Sequence, residues 1–273
     1  MKRLLAVCGA RGKQNDLLYQ PPASSAGGGR DAVICFGGDI QDFEEQQTSH
    51  SQWTLDRFAG RIGRCFPTRH IFVVRPAHMF QRSFAVYRNF VESNNFGVPT
   101  YSSAICAVDH LERLLQSACG QLELSAEEAI SDVILIGFSK GCVVLNQLLH
   151  ELPMVDAGAD DRLKTFASKC RRWVWLDGGH NGKKEDVWVT DEALLKEVVQ
   201  RNIRVSVHVT PYQVSNPDQP WKSRQEQKFV NSLKQLGGNV DRTLHFDHLP
   251  PSIESHFNVI EAFCRSESVV SSD

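Results

Sequence analysis

The feature that most constrains this chain is the run from Val133 to Cys142, VILIGFSKGC, continued by the apolar stretch VVLNQLL to Leu149. An unbroken β-branched and apolar stretch predicts a strand buried on both faces. The apolar segment after it is long enough for a helix, so only Gly137 to Gly141 remain for the turn between them. In that context G-x-S-x-G is a nucleophile elbow, a strained strand-to-helix turn that lifts the Ser139 hydroxyl above the sheet edge. The flanking glycines follow from the same geometry, because a Cβ beside such a turn would strike the neighbouring strand or helix. The bare motif carries little weight, and its context carries most. A P-loop is excluded, since GxxxxGK[ST] is absent.

The rest of the chain agrees with one buried sheet. Leu4 to Cys8 reads as a first strand. Further short apolar runs lie at 32–36, 70–74, 133–136, 172–176, 203–209 and 242–246, separated by helical patterns. Strands that alternate with helices predict a mostly parallel sheet with helices on both faces, here an α/β-hydrolase fold in a single domain. Leu55, Phe58, Ala59 and Ile62 keep helical spacing before Pro67. Ser223 and Glu226 have the spacing of a capping box ahead of Phe229, Val230, Leu233 and Leu236, with Gly237 as a left-handed stop. Ile253, Phe257, Ile260 and Cys264 line a final helix. Residues 1–20 are expected as an N-terminal strand segment, 21–30 (PPASSAGGGR) as a flexible loop, 31–264 as the hydrolase domain and 265–273 as a fraying tail. The aromatic segment 75–102 has no clean period; it either fills core or walls a pocket for an apolar substrate.

Composition narrows the partners. Thirty Lys and Arg against 32 Asp and Glu give a net charge of −2, without the basic footprint of a nucleic-acid binder. No apolar run approaches the roughly 18 to 20 residues needed to span a bilayer. The eight cysteines are scattered, with no CxxC pair and no zinc-ligand spacing, and read as reduced core thiols. No metal or organic cofactor is signalled. The apolar stretch at residues 4–7 is too short for a signal peptide, which makes the expected setting intracellular, cytoplasmic or mitochondrial.

A serine hydroxyl needs a base and the base needs a carboxylate, in the chain order Ser, Asp or Glu, His. Of ten histidines, three follow the last strand region. His256 opens the last helix after Pro250 and Pro251 and is the expected base, with His248 as the alternative and His245 behind it. Asp218, after the 203–209 run, is the expected acid, and Asp177, after 172–176, is the alternative. The backbone N–H of Lys140 and one or more amides of Gly38, Asp39 and Ile40 are expected to form the oxyanion hole. The Lys140 side chain is expected to be solvated at the helix start, with contact to an acidic substrate group as the alternative, and His180 to be exposed on its loop, with a place at the pocket mouth as the alternative.

The blocks CFGGDIQDF (35–43), FPTRHIFVVRP (66–76), NFVESNNFG (89–97), LIGFSKGCVVLNQLL (135–149), WLDGGHNG (175–182), TPYQV (210–214) and PSIESHFNVIEAF (251–263) resemble the eukaryotic, α/β-hydrolase-like chromosome two open reading frame sixty-nine family. The resemblance spans about residues 30–265 and implies a serine-hydrolase-type fold, a nucleophile matching Ser139 and a mitochondrial association for the animal members. It implies no substrate and does not choose the acid. The reading is an acyl hydrolase acting on a small ester or thioester, lipid-like substrates included, through an acyl-enzyme on Ser139. The alternative is a catalytically inactive hydrolase fold used for binding or scaffolding.

Overall fold

Strands that are apolar on both faces need helices above and below them, and the order of the elements along the chain supplies both layers. A computed structural model describes residues 1–23, 30–46, 50–104, 107–124, 130–180, 182 and 186–270. The central sheet is built from β1 (Lys2–Cys8), β2 (Gln14–Gln20), β3 (Asp31–Phe36), β4 (His70–Val74), β5 (Asp132–Phe138), β6 (Arg172–Leu176), β7 (Arg204–Val209) and β8 (Val240–Leu244). Its eight strands lie in the order β1-β2-β4-β3-β5-β6-β7-β8. From β4 to β8 all neighbours are parallel, while β2 is antiparallel to both β1 and β4.

Among the described residues the helices of nine or more residues are α1 (Leu55–Cys65), α2 (Ala107–Gln121), α3 (Cys142–Ala157), α4 (Asp161–Lys169), α5 (Glu192–Gln200), α6 (Pro220–Gln235) and α7 (Ile253–Val270). Alternate residues of each strand serve opposite layers. Val33, Cys35, Ile134, Ile136, Val174 and Leu176 pack under α1 and α7, in one cluster with Phe58, Ile62, Phe257 and Ile260. Ile34, Phe36, Leu135, Trp173, Trp175 and Val207 pack under α2 to α6, with Leu111, Leu148, Phe166, Val198 and Phe229. These buried faces supply the main driving force for folding, at roughly 25 cal/mol per Å² of apolar surface removed from water.

Several local expectations change. The first 20 residues form two strands of the main sheet, since Gln14–Gln20 pairs with both β1 and β4. The last helix runs on to Val270 through the expected tail, where Glu267 accepts two hydrogen bonds from Arg172 at 2.5 and 2.7 Å. No capping box forms at Ser223. Helix α6 starts three residues earlier, with Pro220 in its first turn, and Glu226 is fully buried against Arg242 at 2.8 and 3.1 Å. Gly237 does stop this helix, at φ +80°. Within the aromatic segment, residues 78–80 pair with 84–86 and residues 92–93 with 99–100 as short antiparallel ribbons. Tyr87 and Phe90 are core, edge-on to Phe36. Of the expected 21–30 loop, residues 24–29 lie outside the described residues, as does Cys106; the seven described cysteines carry no disulfide.

Candidate active site

The topology itself points to a site. From β3 the chain leaves to β4 on one side and returns to β5 on the other, so the loops leaving the C-terminal ends of β3 and β5 diverge and open a crevice there. The loop after β3 carries Gly37 to Ile40, and the turn after β5 carries Ser139.

Ser139 has φ +52°, in the left-handed region that an L-residue occupies at a cost of order 1–3 kcal/mol. The two motif glycines make this bend sterically feasible. A Cβ on Gly137 would lie 2.8 Å from the Cα of Cys142, and one on Gly141 would lie 2.1 Å from the Phe36 carbonyl oxygen of β3. One glycine lets helix α3 approach the strand it follows, and the other lets the turn lie against β3.

Imidazole and carboxylate meet across the sheet end. His256, in the first turn of α7, has its Nδ1 2.7 Å from Asp177 Oδ2, and both residues are buried. The carboxylate only accepts, so Nδ1 carries the proton and Nε2 is left with a lone pair. Asp177 is anchored by β7, the parallel neighbour of β6. Its Oδ1 accepts from the Thr210 N–H at 2.7 Å and its Oδ2 from the Thr210 hydroxyl at 2.6 Å. The His256 ring packs against the rings of Phe138 and Tyr212, with centroids at 4.7 and 4.6 Å. Ser139 and His256 both line one cavity of about 170 Å³, together with Asp39, Ile40, Tyr212 and Phe257. Gly179, His180, Gln213, Lys222 and Ile253 complete its wall.

The acid expected first is not the one beside the histidine. Asp218 sits exposed in the loop before α6, its amide accepted by the Asn216 side chain at 2.9 Å. The chain turns into a short helix, Pro211–Val214, immediately after β7, and this carries Asp218 away from the sheet end. Asp177 stands instead one residue beyond β6. The alternative base His248 is exposed beside Asp247, and His245 pairs with His208 at 2.9 Å.

Among the expected oxyanion donors, two amides are already engaged. Gly38 donates to Gln41 Oε1 at 2.8 Å and Ile40 to the Ser83 carbonyl at 2.6 Å. Gly38 matters sterically instead, because a Cβ there would stand 2.7 Å from that of Ser139. The amides of Asp39 and Lys140 are the remaining candidates. The Lys140 side chain is not solvated. It is buried, donates to the Phe96 carbonyl at 2.9 Å and faces Asp39 at 3.6 Å. Burial lowers its pKa and raises that of Asp39, each opposed by the other's charge. His180 is likewise buried, and burial holds its ring neutral, with its pKa lowered to about 4. Thr210, Tyr212, Gln213 and Lys222 were not singled out as site residues from sequence. A threonine and a lysine at element ends look like ordinary caps and solvated charges, although Thr210 to Gln213 lie in the TPYQV block.

The wider comparisons agree with this architecture. A family model described as C2orf69 matches residues 3–132 and 122–239. The mitochondrial protein C2orf69 homolog of Danio rerio is 38% identical over 254 residues, 86% of this chain and 74% of that protein. The mitochondrial protein C2orf69 of Homo sapiens is 35% identical over 286 residues, 85% of this chain and 74% of that one. Among solved structures, Mycobacterium tuberculosis MPT51 (FbpC1) superposes with a TM-score of 0.56 at 9% identity, covering 99% of this chain and 98% of that one. A putative dienelactone hydrolase from Klebsiella pneumoniae gives 0.53 at 11%, covering 98% of each chain. A thermostable esterase gives 0.54 at 12%, covering 98% of this chain, which spans 61% of that esterase. At such identities the likeness is one of fold, that of the α/β-hydrolase esterases. With most of its length matched by the family model, and relatives more than a third identical, the chain belongs to the C2orf69 family and has an α/β-hydrolase fold.

Proposed function

We propose that this protein is a serine hydrolase that cleaves a carboxylic ester or thioester through an acyl-enzyme on Ser139. The observation that carries the reading is the 2.7 Å hydrogen bond from His256 to a buried, doubly anchored Asp177, made in the wall of the cavity that Ser139 also lines.

The chemistry follows from the proton positions. Nε2 of His256 takes the Ser139 proton as Oγ attacks the acyl carbon, and Asp177 stabilises the imidazolium through Nδ1–H. The carbonyl electron pair moves onto oxygen, where the amides of Lys140 and Asp39 and the positive end of α3 receive it. Collapse expels the alcohol or thiol, which takes the proton from Nε2. Water then repeats the cycle on the acyl-enzyme and releases the acid. The names of the Danio and human relatives support a mitochondrial setting for this work.

The test is labelling with a fluorophosphonate probe. The native protein is expected to label at Ser139, and Ser139→Ala to lose labelling and turnover while keeping its thermal melt. A triad nucleophile is worth on the order of 10⁶ in turnover. Equal labelling of the two proteins, or residual turnover in Ser139→Ala above a few per cent, would overturn the reading.

A further inference from the structure

We propose that the Ser139 cavity selects an uncharged acyl compound carrying a hydroxyl or an amide N–H, which the side-chain amide of Gln213 receives beside the nucleophile. This names a substrate class for the serine-hydrolase reading and rests on it.

The first observation is a buried polar group that the fold does not use. Gln213 is 4% exposed and lines the cavity of about 170 Å³ that holds Ser139 and His256. Its Oε1 is buried without a hydrogen-bond partner among the described residues, and its Nε2 makes no hydrogen bond to them either. Burying an amide in this way is unfavourable unless something arrives to pair with it. The backbone does not explain the choice of residue, because the Gln213 N–H donates to the Thr210 carbonyl at 3.1 Å as that of other residues would. Gly179 keeps the space for the amide: a Cβ there would lie 2.4 Å from Oε1 and 2.7 Å from Nε2. Held at neither end, the amide can turn about its last torsion, which is broad in glutamine, and offer either atom to a ligand.

The second observation is the character of the neighbouring wall, which is rich in acceptors. His180 Nε2 donates to the Asp186 carbonyl at 3.3 Å, so Nδ1 is an acceptor, again without a partner among the described residues. Asp39 keeps its carboxylate partly exposed at the cavity, where Oδ1 accepts from the Ala85 N–H at 2.8 Å and Oδ2 faces Lys140 at 3.6 Å. An anionic ligand would meet these lone pairs and be repelled. A cation is not called for, since Lys140 already balances the Asp39 charge. A hydroxyl or amide N–H suits the wall, because it donates where these protein groups accept.

The third observation concerns apolar ligands. Phe80 and Phe84 pack edge-on against Phe96, and none of the three lines the Ser139 cavity. An alkyl group laid against Gln213 would also shut its amide off from water with nothing to bond. A site that holds hydrogen-bonding groups for a substrate hydroxyl or N–H discriminates strongly against an analogue that lacks it.

The experiment uses uncharged esters matched in shape, with each rate divided by that ester's rate of alkaline hydrolysis. On the acyl side, p-nitrophenyl 3-hydroxybutanoate is set against p-nitrophenyl 3-methylbutanoate for the hydroxyl, and p-nitrophenyl N-acetylglycinate against p-nitrophenyl 4-oxopentanoate for the N–H. On the alcohol side, 4-(hydroxymethyl)phenyl acetate is set against 4-ethylphenyl acetate. A hydrogen bond to the Gln213 amide that only one member can make corresponds to a preference of roughly five- to hundredfold in kcat/KM for that member of at least one pair. Gln213→Leu is expected to bring the ratio of that pair to about one. Free 3-hydroxybutanamide should protect Ser139 from the fluorophosphonate better than 3-methylbutanamide does, if the hydroxyl pair is the one that discriminates. If the native protein labels at Ser139 but shows no such preference in any ester pair, this inference falls and the hydrolase reading stands. The inference also falls if Gln213→Leu melts like the native protein and retains the preference. If Gln213→Leu does not fold, the ratios of the native protein decide. Absence of labelling and of all hydrolysis removes both readings together.

Discussion

Replacing Asp177 with asparagine would change one atom of the carboxylate and, by the geometry of its partners, the protonation of His256. Oδ1 faces the Thr210 backbone N–H at 2.7 Å, a donor that cannot rotate away. The asparagine oxygen must therefore take that position, and its NH₂ must face His256 Nδ1 and the Thr210 hydroxyl. The hydroxyl turns and becomes an acceptor. The imidazole has only the other tautomer open to it, with Nδ1 accepting from the new amide and the hydrogen on Nε2. A protonated Nε2 cannot take the Ser139 proton. Loss of the base tautomer without loss of structure costs about 10⁴-fold in kcat, close to 5.5 kcal/mol of barrier. The buried Thr210 hydroxyl gives up its carboxylate acceptor, which should cost about 1–3 kcal/mol of stability, small beside the loss of turnover. Turnover of p-nitrophenyl acetate and the rate of fluorophosphonate labelling measure the first effect, and differential scanning fluorimetry the second. Asp218→Asn, on the exposed loop, serves as the control and should match the native protein. Turnover of Asp177→Asn within tenfold of native would refute this account of the acid, and a large loss in Asp218→Asn would reverse the choice between the two carboxylates.

Three further outcomes follow from packing and charge. Gly141→Ala sets a Cβ 2.1 Å from a backbone oxygen of the central strand β3, so it is expected to lose about 3 kcal/mol or more and to lower Tm on the order of 10 °C; an unchanged melt would contradict the contact. Arg242→Met leaves Glu226 buried without its bidentate partner and should cost about 3–5 kcal/mol, most of it regained in the double variant with Glu226→Leu, as chemical denaturation of the single and double variants would report. Burial, with the neighbouring His245 and Arg172, lowers the His208 pKa to about 3 from an ordinary 6.5. The unfolded chain then holds a proton that the native protein lacks between those two values. This contribution to stability is complete above pH 6.5 and is lost as pH falls toward 3, at up to about 1.4 kcal/mol per pH unit. Urea midpoints from pH 7 to 4 should show His208→Gln with about one proton less taken up on unfolding; an identical slope would argue against a neutral, buried His208.

The parts of the fold that were legible in sequence are those in which a strand is apolar on both faces. The runs at 70–74 and 172–176 match β4 and β6 residue for residue because each such strand must be covered by both helical layers. Toward the ends of the sheet the signal is weaker in β2 and β8. β2, QNDLLYQ, has no β-branched residue, and its polar start is explained only by the fold: Asn15 is buried, donating to the Arg75 carbonyl and accepting from His110. β8 was displaced by two residues because Val240 to Leu244 is partly exposed and Phe246 looks like strand in sequence. Phe246 has φ +58°, outside the extended region, and the pairing of β8 ends at Leu244 before it.

The candidate site divides along a different line. The sharp strand-to-helix turn at Ser139 was legible because such a turn is local, and its glycines, apolar strand and helix lie within 20 residues. The place of His256 at the same sheet end was suggested by chain order, since few histidines follow the last strand. Which carboxylate meets it was not legible, because that depends on which strands are neighbours. β6 and β7 lie side by side with Leu176 opposite His208, so Asp177 comes within reach of Thr210, and the two hydrogen bonds from Thr210 orient its carboxylate toward α7. The position after β7 thus supplies the donors, and the position after β6 supplies the carboxylate. Lys222 was hidden for the same reason. In sequence it is a lysine near a helix start, a place that favours solvent. It is buried because the N-terminal end of α6 meets the 211–214 turn and Ile253 of α7 at the cavity. A charge buried where three separate elements meet leaves no local pattern in the sequence.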